Sequence, residues 1–232
     1  MKITQYRGTS EDKLITNVHN IWLGISLGNK YFTLEHLEDY IRSSLDLVKE
    51  KMLIIIADQP QAVNYEVFEK IKPKTANAKA CRNGQKIFDV VNEIILPLPK
   101  ELQEKIDVIK WGELSKTVWY RHRYEIFCSE FLTNFDFKSK LVEIVKLNMG
   151  ERIKHLQSQE LVKLCEYVLK ELPIFMGAMS YKDIVYDLHI YPGLSLMDDL
   201  ILDIQEGILF PNILKQITIT KPLAIAEAYA GR

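Results

Sequence analysis

Two kinds of apolar pattern alternate along this chain. Residues 18–26, ending in Ile21-Trp22-Leu23-Gly24-Ile25-Ser26, and residues 52–58, opening with Met52-Leu53-Ile54-Ile55-Ile56, are short aliphatic runs. Such runs suit strands buried on both faces of a parallel sheet. The segment after Thr33, Leu34-Glu35-His36-Leu37-Glu38-Asp39-Tyr40-Ile41, repeats at the helical period, with Thr33 placed as its N-cap. Asp58-Gln59-Pro60 reads as a turn, followed by a helical pattern over 64–96 that is interrupted near Pro73 and ended by Pro97-Leu98-Pro99. A third strand is expected over 105–111, helices over 119–132, 137–149 and 158–172, and a fourth strand over 184–191. Strands separated by helices at this spacing predict an α/β fold, a doubly wound and mostly parallel sheet with helices on both faces and ligands at the strand C-termini. No repeat or Gly/Ser-rich linker divides residues 1–232, so one domain is expected, with 215–232 as a loosely held tail.

Composition narrows the class. Apolar residues make up 47% and charged residues 26%, which suits an ordered globular chain, and the formal net charge of −1 means that a nucleic-acid partner would need a local basic face. Cys81, Cys128 and Cys165 are an odd, widely spaced set without a CxxC pair, as expected of reduced thiols. The opening residues lack the apolar stretch of a secretory signal and no later run reaches membrane-spanning length, so a cytoplasmic location without a membrane partner is expected. The histidines His19, His36, His122, His155 and His189 are scattered, with no second ligand at metal-site spacing. There is no GxGxxG, no GxxxxGKS and no HIGH-like or KMSKS-like pair, so the usual phosphate cradles are missing. Neither metal nor ATP is expected, and energy for any bond formed must arrive with the substrate.

Ser26 carries the strongest chemical signal. It ends an apolar strand inside Gly24-Ile25-Ser26-Leu27-Gly28-Asn29, where glycines leave room for a substrate beside a hydroxyl. By itself such a serine is turn chemistry. Tyr167 and Glu171 lie four apart in a helical pattern and share one face, and Leu172-Pro173 is expected to end the helix just beyond them. Alternation places Trp22, Gly24 and Ser26 on one strand face, and Asp187, His189 and Tyr191 on another. If those strands are neighbours, the six residues line one cavity. Two basic clusters, Lys70, Lys72, Lys74, Lys79, Arg82 and Lys86, and then Arg121-His122-Arg123, are either solvated faces or phosphate contacts with RNA.

With Gly24–Asn29, Tyr167 and Glu171 ahead of Leu172-Pro173, Asn148 upstream and Tyr191-Pro192 downstream, the chain resembles the cyclodipeptide synthases, which join two aminoacyl-tRNAs into a cyclic dipeptide. The resemblance implies a Rossmann-like domain similar to the catalytic domain of class I tyrosyl- and tryptophanyl-tRNA synthetases, without ATP or metal. It implies a monomeric aminoacyltransferase of secondary metabolism. Ser26 would be the nucleophile, Tyr167 and Glu171 the grip on the α-ammonium, Glu171 the base and Tyr191 a proton relay. Asn29 and Asn148 would orient groups, and Gly24 would give clearance. Pro192 after Tyr191 resembles the branch of the family that carries proline there, whereas Asn29 is a mark of the histidine branch. Lys79, Arg82, Lys86, Arg121 and Arg123 are the candidate tRNA contacts.

Trp22 is expected to fill part of the first aminoacyl pocket and His189 to add a polar edge, so a small or polar first residue is expected. Two other readings compete. One is a catalytically silent tRNA-binding protein in which Ser26 is only a turn residue. The other is a serine hydrolase drafting His189 with Asp187 or Asp58, although Ser26 lacks the immediate helix start of a nucleophile elbow.

Overall fold

The structure is a computed structural model and describes residues 2–193 and 196–228. Its strands are β1 (Ile3–Arg7), β2 (Ile21–Ser26), β3 (Met52–Ala57), β4 (Ile106–Lys110), β5 (Met179–Tyr181), β6 (Ile184–Tyr186), β7 (Leu188–Pro192) and β8 (Ala224–Ala228). Six of them form one sheet in the order β1-β8-β7-β2-β3-β4. Only the β1–β8 edge is antiparallel; the other pairings are parallel.

Strand alternation explains the helices on both faces. Ile21, Leu23 and Ile25 of β2 and Met52 and Ile54 of β3 pack with Leu37, Tyr40 and Ile41 of helix Leu34–Leu45. Trp22, Leu53, Ile55 and Ala57 point the other way, into a cluster with Phe127, Phe137, Leu169 and Leu172. Helices Val118–Thr133, Phe135–Met149 and Ser158–Phe175 build that second layer. The doubly wound expectation holds. Thr33 caps its helix as expected, accepting the His36 N–H.

Four local expectations are corrected. Asp58 opens helix Asp58–Phe68 instead of a turn, because its carboxylate accepts the N–H groups of Gln59 (2.9 Å) and Trp111 (3.2 Å) and ties the ends of β3 and β4 together. Residues 184–191 are two strands. β5 and β6 form a separate hairpin around Lys182 and Asp183, both at positive φ (47° and 62°), the conformation that a tight hairpin turn requires. Asp187 then turns the chain into β7.

The third correction concerns Pro173, which lies inside helix Ser158–Phe175 and does not end it. Carbonyls of that final stretch are taken from outside the helix. Tyr120 donates to Lys170 O at 2.8 Å, Arg123 to Pro173 O at 3.0 Å and Gln205 to Phe175 O at 3.2 Å. Finally, the tail contributes β8, whose five residues are all buried between β1 and β7. Residues 229–232 of that expected tail lie outside the described residues.

Candidate active site

β2, β3 and β7 run parallel, so their C-terminal ends open at the same edge of the sheet, where α/β proteins place their ligands. A cavity of about 440 Å³ lies there. Ser26, the last residue of β2, lines it, and its Oγ is 3.4 Å from the hydroxyl of Tyr167 and 3.4 Å from that of Tyr191. Asn29 donates from Nδ2 to the Tyr191 hydroxyl at 3.1 Å while its Oδ1 accepts the Tyr31 N–H at 2.9 Å, so one side chain shapes the turn after Ser26 and holds the phenol. Glu171, one helical turn beyond Tyr167, faces the same space.

The electrostatics follow from removal from water. Desolvation pushes the Glu171 carboxyl up to about 8, against the hydrogen bond of Tyr167, which pulls it down. The Tyr167 phenol is raised well above its ordinary value by desolvation and then by the charge of Glu171; desolvation raises Tyr191 as well. Both phenols therefore keep their protons at neutral pH. His189 is driven down to about 3 by burial, so its ring is neutral.

The β2–β7 register sets Trp22 beside His189, and the two rings stack. Gly24 keeps this wall open: a Cβ there would stand 3.5 Å from His189 Nε2 and 3.6 Å from the Trp22 ring. Trp22, Gly24, Asn29, Asn148, His189 and Pro192 all line the cavity with Ser26, Tyr167, Glu171 and Tyr191. Asp187 does not. Its carboxylate is engaged at the other end of β7 by His19 Nδ1 (2.9 Å), Lys221 Nζ (2.5 Å) and the Asn20 N–H (3.2 Å).

The basic residues lie apart from the cavity. Arg82 and Lys86 are exposed on helix Pro73–Ile95, where Lys79 pairs with Glu69 and sits over the Tyr65 ring. Arg121 is exposed near the start of helix Val118–Thr133. Arg123 is turned inward, bound to Pro173 O and packed over Trp119, and burial lowers its guanidinium to about 10.

Sequence reasoning missed Gln61, Asn64, Arg152, Phe175 and Asp198, which also line the cavity. Gln61 was hidden by the turn expected at 58–60, which left Asn64 as the first residue of its helix with no partner one turn before it. Once that segment is a helix, their i, i+3 spacing places them together on the face that follows β3.

Residues 5–208 match the family description "cyclodipeptide synthase". The chain belongs to the cyclodipeptide synthase family. No curated protein matches the chain. Among solved structures, a cyclodipeptide synthase from Bacillus thermoamylovorans is similar with a TM-score of 0.73 at 17% identity, covering 95% of this chain and 93% of that one. One from Candidatus Glomeribacter gigasporarum, bound to Phe-tRNAPhe, gives 0.62 at 17% identity over 96% and 92%. A Mycobacterium tuberculosis protein, whose structure relates cyclodipeptide synthetases to type I tRNA synthetases, gives 0.64 at 18% identity over 83% of each chain. This member of the family is thus a Rossmann-like aminoacyl-transferring enzyme, and among its described residues no helix is long and apolar enough to cross a membrane.

Proposed function

We propose that this cyclodipeptide synthase works by a ping-pong route through Ser26. The carrying observation is the convergence of two neutral phenols on the Ser26 hydroxyl inside a cavity that also contains Glu171. Ser26 Oγ attacks the ester carbonyl of a first aminoacyl-tRNA. The bond to the ribose 3′ oxygen breaks, that oxygen takes up the serine proton, and an aminoacyl-Ser26 ester remains. An ester is exchanged for an ester, so the step is nearly isoenergetic and the proposal includes neither ATP nor metal.

Tyr167 and Glu171 hold the α-ammonium of the acyl-enzyme, the phenol oxygen and the carboxylate each accepting a hydrogen bond from it. Glu171 takes one proton from the ammonium; the free amine attacks the ester carbonyl of the second aminoacyl-tRNA, the bond to its ribose oxygen breaks, and that oxygen takes up the proton the amine sheds on forming the amide, leaving dipeptidyl-Ser26. The free dipeptidyl amine then attacks the serine ester; Ser26 departs as its hydroxyl, reprotonated through Tyr191. Asn29 fixes Tyr191 throughout, and Asn148 orients the acceptor at the rim.

The serine-hydrolase reading lacks its base. Among the described residues neither His189 nitrogen has a hydrogen-bond partner, and the neutral ring stacks on Trp22. The same proposal makes the enzyme a cytoplasmic monomer of secondary metabolism that recognises tRNA through Lys79, Arg82, Lys86 and Arg121. Incubation with labelled aminoacyl-tRNAs followed by intact-protein mass measurement tests the central step. Wild type gains one aminoacyl mass and Ser26→Ala gains none; an unmodified wild type that still binds tRNA would establish the silent-binder reading instead.

A further inference from the structure

The catalytic route leaves one side of the cavity unused. Gln61 and Asn64 reach it from helix Asp58–Phe68, and Gln61 Oε1 stands 3.2 Å from where a Cβ of Gly28 would be, so this side adjoins the turn that follows Ser26. Asn64 donates from Nδ2 to Gln61 Oε1 at 2.9 Å. Asn64 lines the cavity, and its own Oδ1 is buried and has no hydrogen-bond partner among the described residues. A buried acceptor left without a donor carries a desolvation penalty that a ligand hydroxyl would relieve.

Among the described residues that line the cavity Arg152 is the cation, and it is exposed at the rim. Gly150 ends helix Phe135–Met149 at φ 51° and ψ −126°, a conformation for glycine alone, and the short turn Gly150–Ile153 presents Arg152 to the opening. The guanidinium lies 4.6 Å over the ring of Phe68, which follows Asn64 by four residues on the same helix face. Among the described residues no carboxylate lies within ion-pair range of it. A stacked guanidinium with free N–H edges is suited to an anion with two oxygens, and a phosphodiester offers that pair.

Resting on the aminoacyl-tRNA reading above, we infer that Arg152 and Asn64 form the seat of the substrate's terminal ribose-phosphate. Arg152 binds the phosphodiester on the 5′ side of the terminal adenosine, and Asn64 Oδ1 accepts the hydrogen of the ribose 2′ hydroxyl beside the reacting ester. The two contacts bracket one nucleoside and aim its 3′ ester at Ser26. No covalent step is added; the pair positions the leaving group.

A chemical double-mutant cycle tests it, read as the rate of Ser26 aminoacylation by intact-protein mass. Replacing the last phosphodiester of the aminoacyl-tRNA with an uncharged methylphosphonate is expected to slow the wild type about tenfold or more, the scale of a hydrogen bond to a charged group. Arg152→Ala is expected to be equally slow with either tRNA, and Arg152→Lys to recover part of the rate on the native one. A terminal 2′-deoxyadenosine is expected to slow the wild type and Arg152→Ala alike, but not Asn64→Leu. Equal sensitivity of wild type and Arg152→Ala to the methylphosphonate overturns the proposal. So does an Arg152→Ala defect confined to aspartyl- and glutamyl-tRNA, which would make the arginine a reader of acidic side chains. Failure of the wild type to load from native aminoacyl-tRNA would be a failure of the Ser26 reading, seen before any variant is compared.

Discussion

Trp22 and His189 are register partners on adjacent parallel strands, and their rings stack with centroids 3.7 Å apart and planes 14° from parallel. Phe175 closes against both, at 5.2 Å from Trp22 and 5.0 Å from His189. The wall of the cavity on the β2–β7 side is therefore built of packed protein rings. Among the described residues Trp22 Nε1 and both His189 nitrogens have no hydrogen-bond partner, so that wall holds polar atoms that nothing in it satisfies. We expect product analysis by mass spectrometry to show cyclic dipeptides with a small or polar residue. Cyclo-Phe or cyclo-Leu species as the main products would refute this. Trp22→Leu removes the lid of the stack and should shift the products toward larger apolar residues, at a stability cost of about 2–4 kcal/mol for the cavity it leaves.

Glu171 gives a pH signature with two opposite signs. Its carboxyl titrates at about 8 in the folded protein against an ordinary value of 4.5. Between those values the native state holds a proton that the unfolded chain has lost, so this group's contribution to stability falls as pH rises from about 4.5 to 8. Glu171→Gln, which cannot ionise, should therefore raise Tm at pH 8 by ~2–5 °C relative to wild type and change it little at pH 5. Catalysis runs the other way. In the proposed route Glu171 is the ammonium partner and base and must be ionised, so kcat/KM should climb with pH on an acid limb ending near the free-enzyme value of about 8, and the variant should lose both the limb and the activity. A flat profile from pH 6 to 8.5 in wild type would remove Glu171 from the chemistry.

What the sequence conveyed and what it hid have separate physical causes. β2 and β3 were legible because a short unbroken aliphatic run leaves few alternatives to a buried strand, and the face of Trp22, Gly24 and Ser26 followed from strand alternation alone. β8 was not legible: Ala-Ile-Ala-Glu-Ala is weakly patterned, and its place between β1 and β7 comes from long-range pairing. Pro173 misled because the groups that bind carbonyls of the last part of its helix, Tyr120, Arg123 and Gln205, come from distant elements. Arg123 looked like an RNA contact for the same reason. Residue type gives charge, but only packing decides whether that charge faces outward. Arg152 gave no signal in sequence because its meaning depends on Phe68, more than eighty residues earlier.

Helix Pro73–Ile95 crosses helix Asp58–Phe68 where Gly84 meets Asp58. A Cβ on Gly84 would come within 2.3 Å of Asp58 Cβ. Neither can yield easily, since the Asp58 carboxylate is held by the N–H groups of Gln59 and Trp111. Gly84→Ala should therefore destabilise the fold by about 1–3 kcal/mol, the usual cost of overpacking, even though alanine favours helices intrinsically. Thermal unfolding measures it; an unchanged or raised Tm would mean that the two helices separate freely. Because Asp58 starts the helix that carries Gln61 and Asn64, the same variant should also slow aminoacylation.

Arg82 and Lys86 lie four residues apart on the exposed face of helix Pro73–Ile95, with Lys74 two turns before Arg82, while Lys79 on the same helix is paired with Glu69. If this face carries tRNA, charge is what it contributes. Arg82→Glu with Lys86→Glu should weaken tRNA binding severalfold at low salt and flatten the dependence of log affinity on log salt by about 0.7–0.9 per lost phosphate contact. Lys79→Ala should do less, because its charge is already shared with Glu69. Arg123→Ala should leave the salt slope unchanged and lower Tm instead, since its guanidinium is bound to Pro173 O. Filter binding across a salt series separates these outcomes: an unchanged slope in the double variant would place the tRNA on another face, and a slope reduced by Arg123→Ala would contradict the buried role assigned to that side chain.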